Sequence, residues 1–454
     1  MTLGVVVLAA GQGTRMRSAL PKVLHPAAGL PLVEHVARLA DAAGAERRVL
    51  VLSEDTLAPV QARLGERYGY AVQRQRLGTG HAVLQARELL AGAVAEVLVL
   101  YGADPLMRRE SVERLVAARR ESGALAAITT FTADPPTGYG RIIRDADGAV
   151  TAIVEQRDAS PEQRAIREVN QGVAVYDAAW LWAALDRLTP NAANGEYYLT
   201  DLVALALAER GPGAVASLHL DDPDEALGVN DRLQLAEAGA ILNRRKLRQL
   251  MIDGVSIVDP ATTYVDVDVQ IGMDSILLPG TIIRGQTRIG AGCEIGPNSV
   301  IEDSLLGAGC RVSFSVVEQA RMDDGANVGP FGHLRRGAHL MENVHMGNFG
   351  EVKNATLGPG TKMGHFSYIG DATLGANVNI GAGTITCNFA ADGKKYRTEI
   401  GEGAFIGSDT LLRAPVTVGE GATTGAGSVV TKDVPAGGVA VGMPARVIRR
   451  RPEE

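Results

Sequence analysis

The sequence predicts two folds in one chain: a Rossmann-like α/β domain with a mostly parallel sheet, followed by a parallel β-helix of hexapeptide repeats. As far as Val229, strand-like and helix-like patterns alternate; an Ala- and Leu-rich helical pattern follows; and from Val265 apolar residues recur at every sixth position. A period of six fits neither the 3.6-residue turn of a helix nor the two-residue alternation of a strand. It is typical of a solenoid in which each hexad supplies one short strand and one corner.

The N-terminal half carries the α/β pattern. Residues 3–10 are a continuous apolar run, as expected of a strand buried on both faces of a parallel sheet. The other strand patterns are residues 48–52, 96–101, 126–130 and 169–176, and helical patterns lie between them, for example at residues 32–43 and 80–90. Ligands of such sheets bind at the carboxyl ends of the strands.

The C-terminal half carries the hexads. The apolar positions are Val265, Ile271, Leu277, Ile283, Ile289, Ile295 and Ile301; after a slip in phase, Met322, Val328, Leu334, Leu340, Met346 and Val352; then Leu357, Met363 and Ile369; and finally Ile400, Ile406, Leu412 and Val418. We expect these side chains to point inward and to stack from coil to coil. The predicted domains are residues 1–229, a linker helix at 230–251, and the β-helix at 252–454.

Composition excludes several classes of protein. A net charge of −7 with interspersed acids and bases argues against a nucleic-acid or membrane partner. No stretch has 18 unbroken apolar residues, and the N terminus lacks the basic flank of a signal peptide, so we expect a cytoplasmic protein. Cys293, Cys310 and Cys387 are too scattered for a disulfide framework, and we expect buried free thiols.

A glycine-rich turn follows the first predicted strand. It reads Gly11-Gln12-Gly13-Thr14-Arg15, and Lys22 follows shortly after it. Glycines let backbone N–H groups approach a phosphate, and two cations can neutralise the charge that develops on a leaving pyrophosphate. The turn matches neither the dinucleotide-binding GxGxxG nor the P-loop pattern, so on local grounds an ordinary charged surface loop is the alternative.

At this point the sequence resembles a known family. LAAGQGTRM followed by LPKVLH is similar to sugar nucleotidyltransferases, which join a sugar 1-phosphate to a nucleoside triphosphate. QRLGTGHA, PTGYGRI, IVEQRDAS, GEYYLTD and GVNDRLQL, together with the hexads, resemble the bifunctional N-acetylglucosamine-1-phosphate uridylyltransferase/glucosamine-1-phosphate acetyltransferases over essentially the whole chain. The resemblance implies a left-handed β-helix that forms a homotrimer.

The resemblance implies a first site that binds UTP and the UDP-sugar. Arg15 and Lys22 are expected to act on the triphosphate. Gly140, Glu155 and Asn170 are expected to contact the aminosugar. The expected nucleotide contacts are Leu8, Ala9, Ala10, Gly11, Gln73, Gly78 and Thr79, and Tyr101, Gly102 and Asn230 are also expected in this site. Asn230 is also expected to help hold Mg²⁺.

The expected metal ligand in this site departs from the family pattern. The family has its metal-binding Asp directly after a glycine, in GDxP, whereas this chain reads Gly102-Ala103-Asp104-Pro105. Because successive side chains of a strand point to opposite faces, a shift of one residue would normally turn the carboxylate away. Either the loop directs Asp104 to the metal, which is our prediction, or the site lacks its carboxylate.

The resemblance implies an acetyltransferase site on the solenoid. His365 is the expected general base, with Glu351 orienting its imidazole. Arg335, Lys353, Tyr368, Asn379 and Lys395 are expected to bind the sugar phosphate, and Ala382, Asn388, Phe389, Ser408 and Ala426 to contact acetyl-CoA. The Ala382 N–H is expected to stabilise the oxyanion, and the insert ADGKK to form a loop that reaches a neighbouring subunit's site.

Two residues of the second site depart from the family. Phe389 stands where the family often has Tyr, and Met443 replaces an arginine that binds the CoA phosphate. Arg446 and the basic run at residues 449–451 are the candidates to substitute.

We therefore predict an enzyme that acetylates glucosamine 1-phosphate with acetyl-CoA and then couples the product to UTP with Mg²⁺, releasing pyrophosphate. Such a product feeds bacterial cell-wall synthesis. One alternative is a single-activity nucleotidyltransferase with a structural or regulatory β-helix. A sugar-nucleotide sensor with an inactive first site is another, suggested by Ala103.

Overall fold

A computed structural model describes residues 1–192 and 194–450, and it divides into two compact units, Met1–Leu242 and Asn243–Glu454. The division falls within a helix, Arg232–Ile252, that corresponds to the linker expected at residues 230–251.

Unit 1 is an α/β domain. Its strands are β1 Leu3–Ala9, β2 Pro26–Ala27, β3 Leu30–Pro31, β4 Arg47–Leu52, β5 Gly69–Val72, β6 Glu96–Tyr101, β7 Ala126–Thr132, β8 Arg141–Arg144, β9 Val150–Val154, β10 Glu168–Asp177 and β11 Val215–His219. Its α-helices are α1 Leu32–Ala42, α2 Glu54–Leu64, α3 Thr79–Leu84, α4 Arg87–Leu90, α5 Arg109–Ser122, α6 Pro161–Arg164, α7 Ala178–Leu185, α8 Asp201–Arg210 and the first part of α9, Arg232–Ile252. The single helix expected at residues 80–90 is two short helices, α3 and α4.

The main sheet of unit 1 has the strand order β11-β7-β10-β6-β1-β4-β5. β1 pairs in parallel with β4 and β6, whereas β10 runs antiparallel to β6 and β7, so the sheet is mostly parallel as predicted. Val5 and Val7 of β1 pack into one apolar cluster, and Val6 packs into another. Burial on both faces explains why β1 is a continuous apolar run.

Unit 2 is a parallel solenoid with three faces, each a sheet of short strands. The strands of face 1 are Ser256–Ile257, Ile276–Leu277, Glu294–Ile295, Arg311–Val312, Asn327–Val328, His345–Met346, Lys362–Met363, Asn379–Ile380, Phe405–Ile406, Thr423–Thr424, Gly438–Gly442 and Ala445–Arg450. The strands of face 2 are Tyr264–Val265, Ile282–Arg284, Val300–Glu302, Val316–Glu318, His333–Leu334, Gly350–Lys353, Ser367–Gly370, Ile385–Cys387, Leu411–Arg413 and Val429–Val430. The strands of face 3 are Gln270–Ile271, Arg288–Ile289, Leu305–Leu306, Arg321–Met322, His339–Leu340, Thr356–Leu357, Ala372–Leu374, Thr398–Ile400 and Val416–Val418.

The predicted hexad positions form the inside of this solenoid. All of them except the partly buried Ile271 are buried in one apolar cluster. The slip in phase after Ile301 is a shortening of the coils, because Ile295 pairs with Val312 and Ile301 with Val317 while the inward stacking continues. Among the strands described in unit 2, only the last pair, Gly438–Gly442 and Ala445–Arg450, is antiparallel.

The three cysteines are free thiols. Cys293 and Cys310 are buried as expected, whereas Cys387 is partly exposed at the end of a face 2 strand.

Among the described residues, every helix is too short or too polar to cross a membrane.

Candidate active sites

The first candidate site is a cavity of about 720 Å³ in unit 1, at the carboxyl ends of β1 and β6. Eleven of the predicted contacts line it: Leu8, Ala9, Ala10, Gly11, Lys22, Gln73, Gly78, Thr79, Tyr101, Asp104 and Asn230. A volume of this size suits a nucleotide or a drug-sized molecule. The parallel strands bring these residues together, since their carboxyl ends meet at one edge of the sheet.

Two glycines at this cavity, Gly13 and Gly78, allow neighbouring segments to pack closely against the backbone. Gly13 has φ +63°, and a Cβ there would lie 2.5 Å from Cβ of Lys22. Gly78 has φ +96°, and a Cβ there would lie 2.5 Å from the carbonyl oxygen of Tyr197. Side chains at either position would displace the loops that carry Lys22 and Thr79.

Lys22 is the cation nearest the metal-ligand candidates. Its Nζ donates to Oδ1 of Asn230 at 3.2 Å. Burial lowers the pKa of Lys22, the Asp104 carboxylate opposes this, and the nearby charge of Arg15 lowers it further. Arg15 itself is exposed and lies on the short helix Thr14–Met16 after the glycine turn.

Asp104 lines the cavity, and so does Ala103. The Asp104 N–H donates to the Tyr101 carbonyl at 3.0 Å, closing a turn directly after β6. Burial raises the pKa of the Asp104 carboxyl to about 7, and the Lys22 charge limits the rise. The turn therefore leaves the carboxyl beside the cavity although it lies one residue later than the family pattern has it.

The predicted aminosugar contacts form a neighbouring group. A smaller cavity of about 330 Å³ is lined by Glu155, Gln156, Arg157 and Tyr198, and Tyr198 lines the main cavity as well. The Asn170 N–H donates to the Gly140 carbonyl at 2.8 Å. A Cβ on Gly140 would lie 3.4 Å from Oε1 of Glu155, so Gly140, Glu155 and Asn170 adjoin one another. Burial raises the pKa of Glu155.

Gly102 contributes by packing. A Cβ at this position would lie 2.9 Å from Cβ of Ala9, so the glycine lets β6 end close against β1.

The main cavity is also lined by residues that the sequence motifs did not predict: Gln12, Arg76, Tyr139, Gln171, Glu196, Tyr198, Gly228 and Gln234. Arg76 Nε donates to the Ala10 carbonyl at 3.0 Å. Gln171 follows Asn170 directly, and Gly228 lies in the GVN motif, so proximity to a quoted motif was the available signal.

The second candidate site lies on unit 2, around face 2. His365 is exposed at the corner between faces 1 and 2. Backbone hydrogen bonds stack Ala382 below Asp409 and Ser408 below Gly427, so His365, Ala382, Ser408 and Ala426 occupy the same corner in successive coils. This stack is a continuous track on which an extended ligand can lie.

The predicted pairing of Glu351 with His365 is not formed in this chain. Glu351 is in register with Tyr368, not with His365, and its Oε1 accepts a hydrogen bond from Nη1 of Arg335 at 2.8 Å. This Glu351 contact raises the pKa of Arg335. The strand register thus puts the Glu351 carboxylate on face 2, where it pairs with Arg335.

The other predicted sugar-phosphate residues lie around the same coils. Lys353 is in register with Gly370, and Asn379 is partly exposed on face 1. Asn388, which is expected to contact acetyl-CoA, is buried, and its Nδ2 donates to Oδ2 of Asp371 at 2.5 Å. Its amide N–H is therefore already engaged, and the oxygen is the atom it can offer to a ligand.

The insert ADGKK, which was expected to form a loop, is a folded turn after the face 2 strand Ile385–Cys387. Phe389 and Lys395 form an antiparallel bridge, and the Ala390 N–H donates to the Lys394 carbonyl at 3.0 Å. Both Phe389 and Lys395 are exposed.

Met443 is exposed in the turn before the last strand. Arg446 and Lys432 line a cavity of about 370 Å³ next to that turn. Of the basic run at 449–451, residue 451 and the side chains of residues 449 and 450 lie outside the described part of the structure.

Comparisons with protein families match both units. The nucleotidyl transferase family matches residues 4–216, and the bacterial transferase hexapeptide family of six repeats matches residues 268–303 and 397–432. The match agrees with the left-handed β-helix expected for the parallel coils.

Curated relatives match nearly the whole chain. The bifunctional protein GlmU of Heliobacterium modesticaldum is 49% identical over 96% of this chain and 94% of its own length. That of Syntrophomonas wolfei subsp. wolfei is 44% identical over 96% of each chain, and that of Geobacillus thermodenitrificans is 45% identical over 97% of this chain and 95% of its own.

These matches confirm the predicted fold class, the resemblance carried by the motifs, and the prediction of an enzyme. They favour two activities over a nucleotidyltransferase with a structural β-helix. The chain belongs to the family of bifunctional GlmU proteins, in which a nucleotidyl transferase domain is joined to hexapeptide repeats.

Proposed function

We propose that this chain makes UDP-N-acetylglucosamine in two steps. Unit 2 acetylates the amine of glucosamine 1-phosphate with acetyl-CoA, and unit 1 couples the resulting N-acetylglucosamine 1-phosphate to UTP. The observation that carries the proposal is the cavity at the ends of β1 and β6, where Lys22, Asp104 and Asn230 meet. Since UTP and acetyl-CoA are metabolites of the cytoplasm, the reaction belongs there.

In unit 1, a phosphate oxygen of the sugar phosphate attacks the α-phosphorus of UTP, and the bond to pyrophosphate breaks. Lys22 and Arg15 neutralise the charge that develops on the leaving pyrophosphate. Leu8 to Gly11, Gln73, Gly78 and Thr79 hold the nucleotide, with Tyr101 and Gly102 at the end of β6. Gly140, Glu155 and Asn170 hold the sugar.

The residues of the cavity fit a magnesium ion. Asp104 and Asn230 supply the hard oxygen donors that Mg²⁺ prefers. The described residues contain no cluster of three or more His, Cys, Asp and Glu side chains able to hold a metal. Mg²⁺ commonly takes one or two protein oxygens and completes its shell with water and substrate phosphates, so two donors are enough. When bound, it would neutralise phosphate charge.

In unit 2, the amine attacks the thioester carbonyl of acetyl-CoA. His365 takes a proton from the amine, the C–S bond breaks, and the CoA sulfur receives the proton. The Ala382 N–H stabilises the oxyanion. Ser408, Ala426, Asn388 and Phe389 hold the CoA arm.

The sugar phosphate of this step is bound by Arg335, Lys353, Tyr368, Asn379 and Lys395, whose three cations match its charge. Glu351 orients Arg335 directly, through the observed ion pair.

We further propose that the chain forms a homotrimer through face 2. On each of its first four strands, the outward residue just before the inward one is apolar: Tyr264, Ile282, Val300 and Val316. The outward residues that end three of these strands are charged: Arg284, Glu302 and Glu318. Beside them, at the corner between faces 1 and 2, the exposed ring of Phe331 stacks on Phe349 with centroids 5.2 Å apart and lies tilted against Phe314 with centroids 5.8 Å apart. An apolar patch of this kind supports a protein interface. In such a trimer, a neighbouring copy would complete the acetyltransferase site.

Two assays test the proposal on the purified chain. Release of CoA thiol from acetyl-CoA is expected only when glucosamine 1-phosphate is added, and pyrophosphate release from UTP only with N-acetylglucosamine 1-phosphate and Mg²⁺. Absence of thiol release would leave a single-activity nucleotidyltransferase. Absence of pyrophosphate release would leave the sensor with an inactive first site.

A further inference from the structure

A glutamine contacts the relocated carboxylate of unit 1. Gln171 lies in β10 and lines the same cavity as Asp104. Its Nε2 donates to Oδ2 of Asp104 at 3.3 Å, although the two residues are 67 positions apart in the chain. Nothing in the expected reaction assigns a role to this glutamine.

The orientation of the Gln171 amide is set by its own partners. Its Oε1 accepts a hydrogen bond from the Val173 N–H at 2.9 Å. A backbone N–H can only donate, so the atom that faces it must be the amide oxygen, and the nitrogen must face Asp104. The buried hydroxyl of Thr129 also lies 2.8 Å from Oε1. The amide is therefore held at its oxygen end and presents its N–H to the carboxylate.

The other oxygen of Asp104 lies against a residue with no side chain. A Cβ on Gly228 would come within 2.7 Å of Oδ1. Gly228 precedes Asn230 by two positions, so Oδ1 lies on the side of the cavity from which the second oxygen donor comes. Gln171 thus occupies one carboxylate oxygen and leaves the other beside Gly228.

A hydrogen bond that fixes the orientation of a carboxylate is important when that carboxylate is a magnesium ligand. Mg²⁺ demands nearly ideal octahedral geometry, so a carboxylate that rotates freely is a poor ligand. Asp104 follows β6 in a turn, and the turn alone does not determine its side-chain rotation. Partners that hold a metal ligand commonly change metal affinity by 10- to 100-fold when they are removed.

We propose that Gln171 is the positioning residue of the displaced Asp104 carboxylate: it holds Oδ2 so that Oδ1 can ligate the divalent cation of uridylyl transfer. This inference rests on the proposed function of unit 1. Gln171 acts through Asp104 and touches neither the sugar nor the nucleotide in this role.

The test compares Gln171→Met and Gln171→Asn with the wild-type chain. Methionine has a similar length but no N–H, and asparagine is too short to reach both Val173 and Asp104. For both variants we expect Mn²⁺ affinity, measured with the metal alone by electron paramagnetic resonance, to fall about 10-fold. The Mg²⁺ concentration for half-maximal uridylyl transfer should rise by a similar factor, while the KM for UTP at saturating Mg²⁺ changes less than about twofold.

Thr129→Val is the matched control, since it removes a contact to Oε1 but leaves the Val173 N–H in place. Its Mn²⁺ affinity should stay within about twofold of wild type. In an Asp104→Asn background, Gln171→Met should have no further effect on Mn²⁺ affinity, because a positioning residue has nothing left to position. The urea unfolding transition of each variant, followed by the fluorescence of Trp180 and Trp182 in unit 1, reports that this unit is folded.

Wild-type uridylyl transfer together with unchanged Mn²⁺ affinity in Gln171→Asn and Gln171→Met would overturn this inference alone. So would an additive effect of Gln171→Met in the Asp104→Asn background. A wild-type chain without Mg²⁺-dependent uridylyl transfer would overturn the proposed function, and the inference with it.

Discussion

At the scale of single residues, the first site depends on a few close contacts. Because Gly13 has no Cβ, Lys22 can pack directly against the glycine turn. The hydrogen-bonded turn from Tyr101 to Asp104 places the Asp104 carboxyl beside the cavity. Burial lowers the pKa of the Lys22 ammonium and raises the pKa of the Asp104 carboxyl, and the attraction between their charges opposes both shifts. Substitutions at these positions should therefore change stability as well as activity.

Asp104→Asn should abolish Mg²⁺-dependent uridylyl transfer and, without divalent cations, stabilise unit 1 at pH 8. The pKa of the Asp104 carboxyl is about 7 in the folded chain, above the ordinary value of about 4. Between these values only the folded state holds the proton, so the wild-type chain loses stability as pH rises from 4 to 7, and the variant does not.

The expected difference is roughly 1 to 4 kcal/mol at pH 8 and near zero at pH 4. It can be measured by urea unfolding in EDTA, followed by the fluorescence of Trp180 and Trp182, the chain's two tryptophans, which both lie in unit 1. A difference that is the same at both pH values would show that burial does not perturb this carboxyl.

His365→Ala should lose acetyl transfer by roughly 100-fold or more, because the amine then has no general base. Uridylyl transfer should remain within about twofold of wild type, since His365 lies in unit 2 and the cavity of unit 1 is built without it. Thiol release and pyrophosphate release measure the two activities. Loss of both would contradict separate sites.

At the scale of elements, the solenoid is held together by the inward residue of each hexad. Ile283 is fully buried and is in register with Val265 and Ile301 in the neighbouring coils, whereas the next residue, Arg284, is exposed. Coils bury their apolar surface only against one another. Shortening an inward side chain therefore removes contacts with the coil on each side as well as within its own coil.

Ile283→Ala should destabilise unit 2 by about 2–5 kcal/mol, whereas Arg284→Ala should change its stability by less than about 0.5 kcal/mol. Thermal unfolding followed by circular dichroism compares the two. Equal effects would mean that the inward stack at this coil contributes little to stability.

At the scale of the whole molecule, one outer face of the solenoid is distinct. Face 2 presents an apolar column at its first coils, whereas the outward residues of face 3 include Gln270, Arg288 and Arg321. An apolar column on one face only suits a closed, symmetric assembly of identical copies.

Val316→Asp should dissociate the proposed trimer, because the introduced carboxylate would be buried in the interface. Light scattering should give three times 47.6 kDa for wild type and a single chain for the variant. Gln270→Asp, on exposed face 3, is the matched control and should remain a trimer.

Acetyl transfer should fall with the trimer in Val316→Asp, while uridylyl transfer persists. A variant that stays trimeric would place the interface elsewhere.

The sequence by itself determined the features that depend on local periodicity and on short motifs. Most inward positions from Val265 to Val418 were predicted, because a repeat of six residues is visible without any distant contact. The inward residues at the slips in phase were missed: Leu306, Val312, Val317, Leu374 and Ile380. The buried run of β1 was predicted as well. The glycine turn and eleven of the residues that line the first cavity also followed from motifs that are continuous in sequence.

Only the tertiary structure decided which side chains meet across the fold. The direction of the Asp104 carboxyl depends on a turn and on Gln171, 67 residues away, and neither contact has a sequence pattern. Likewise, Glu351 pairs with Arg335 and not with His365, because the register between coils is set by corner lengths that slip along the chain. Periodicity predicts which residues face inward, but hydrogen-bond partners are selected by distances of a few ångströms between segments that only packing brings together.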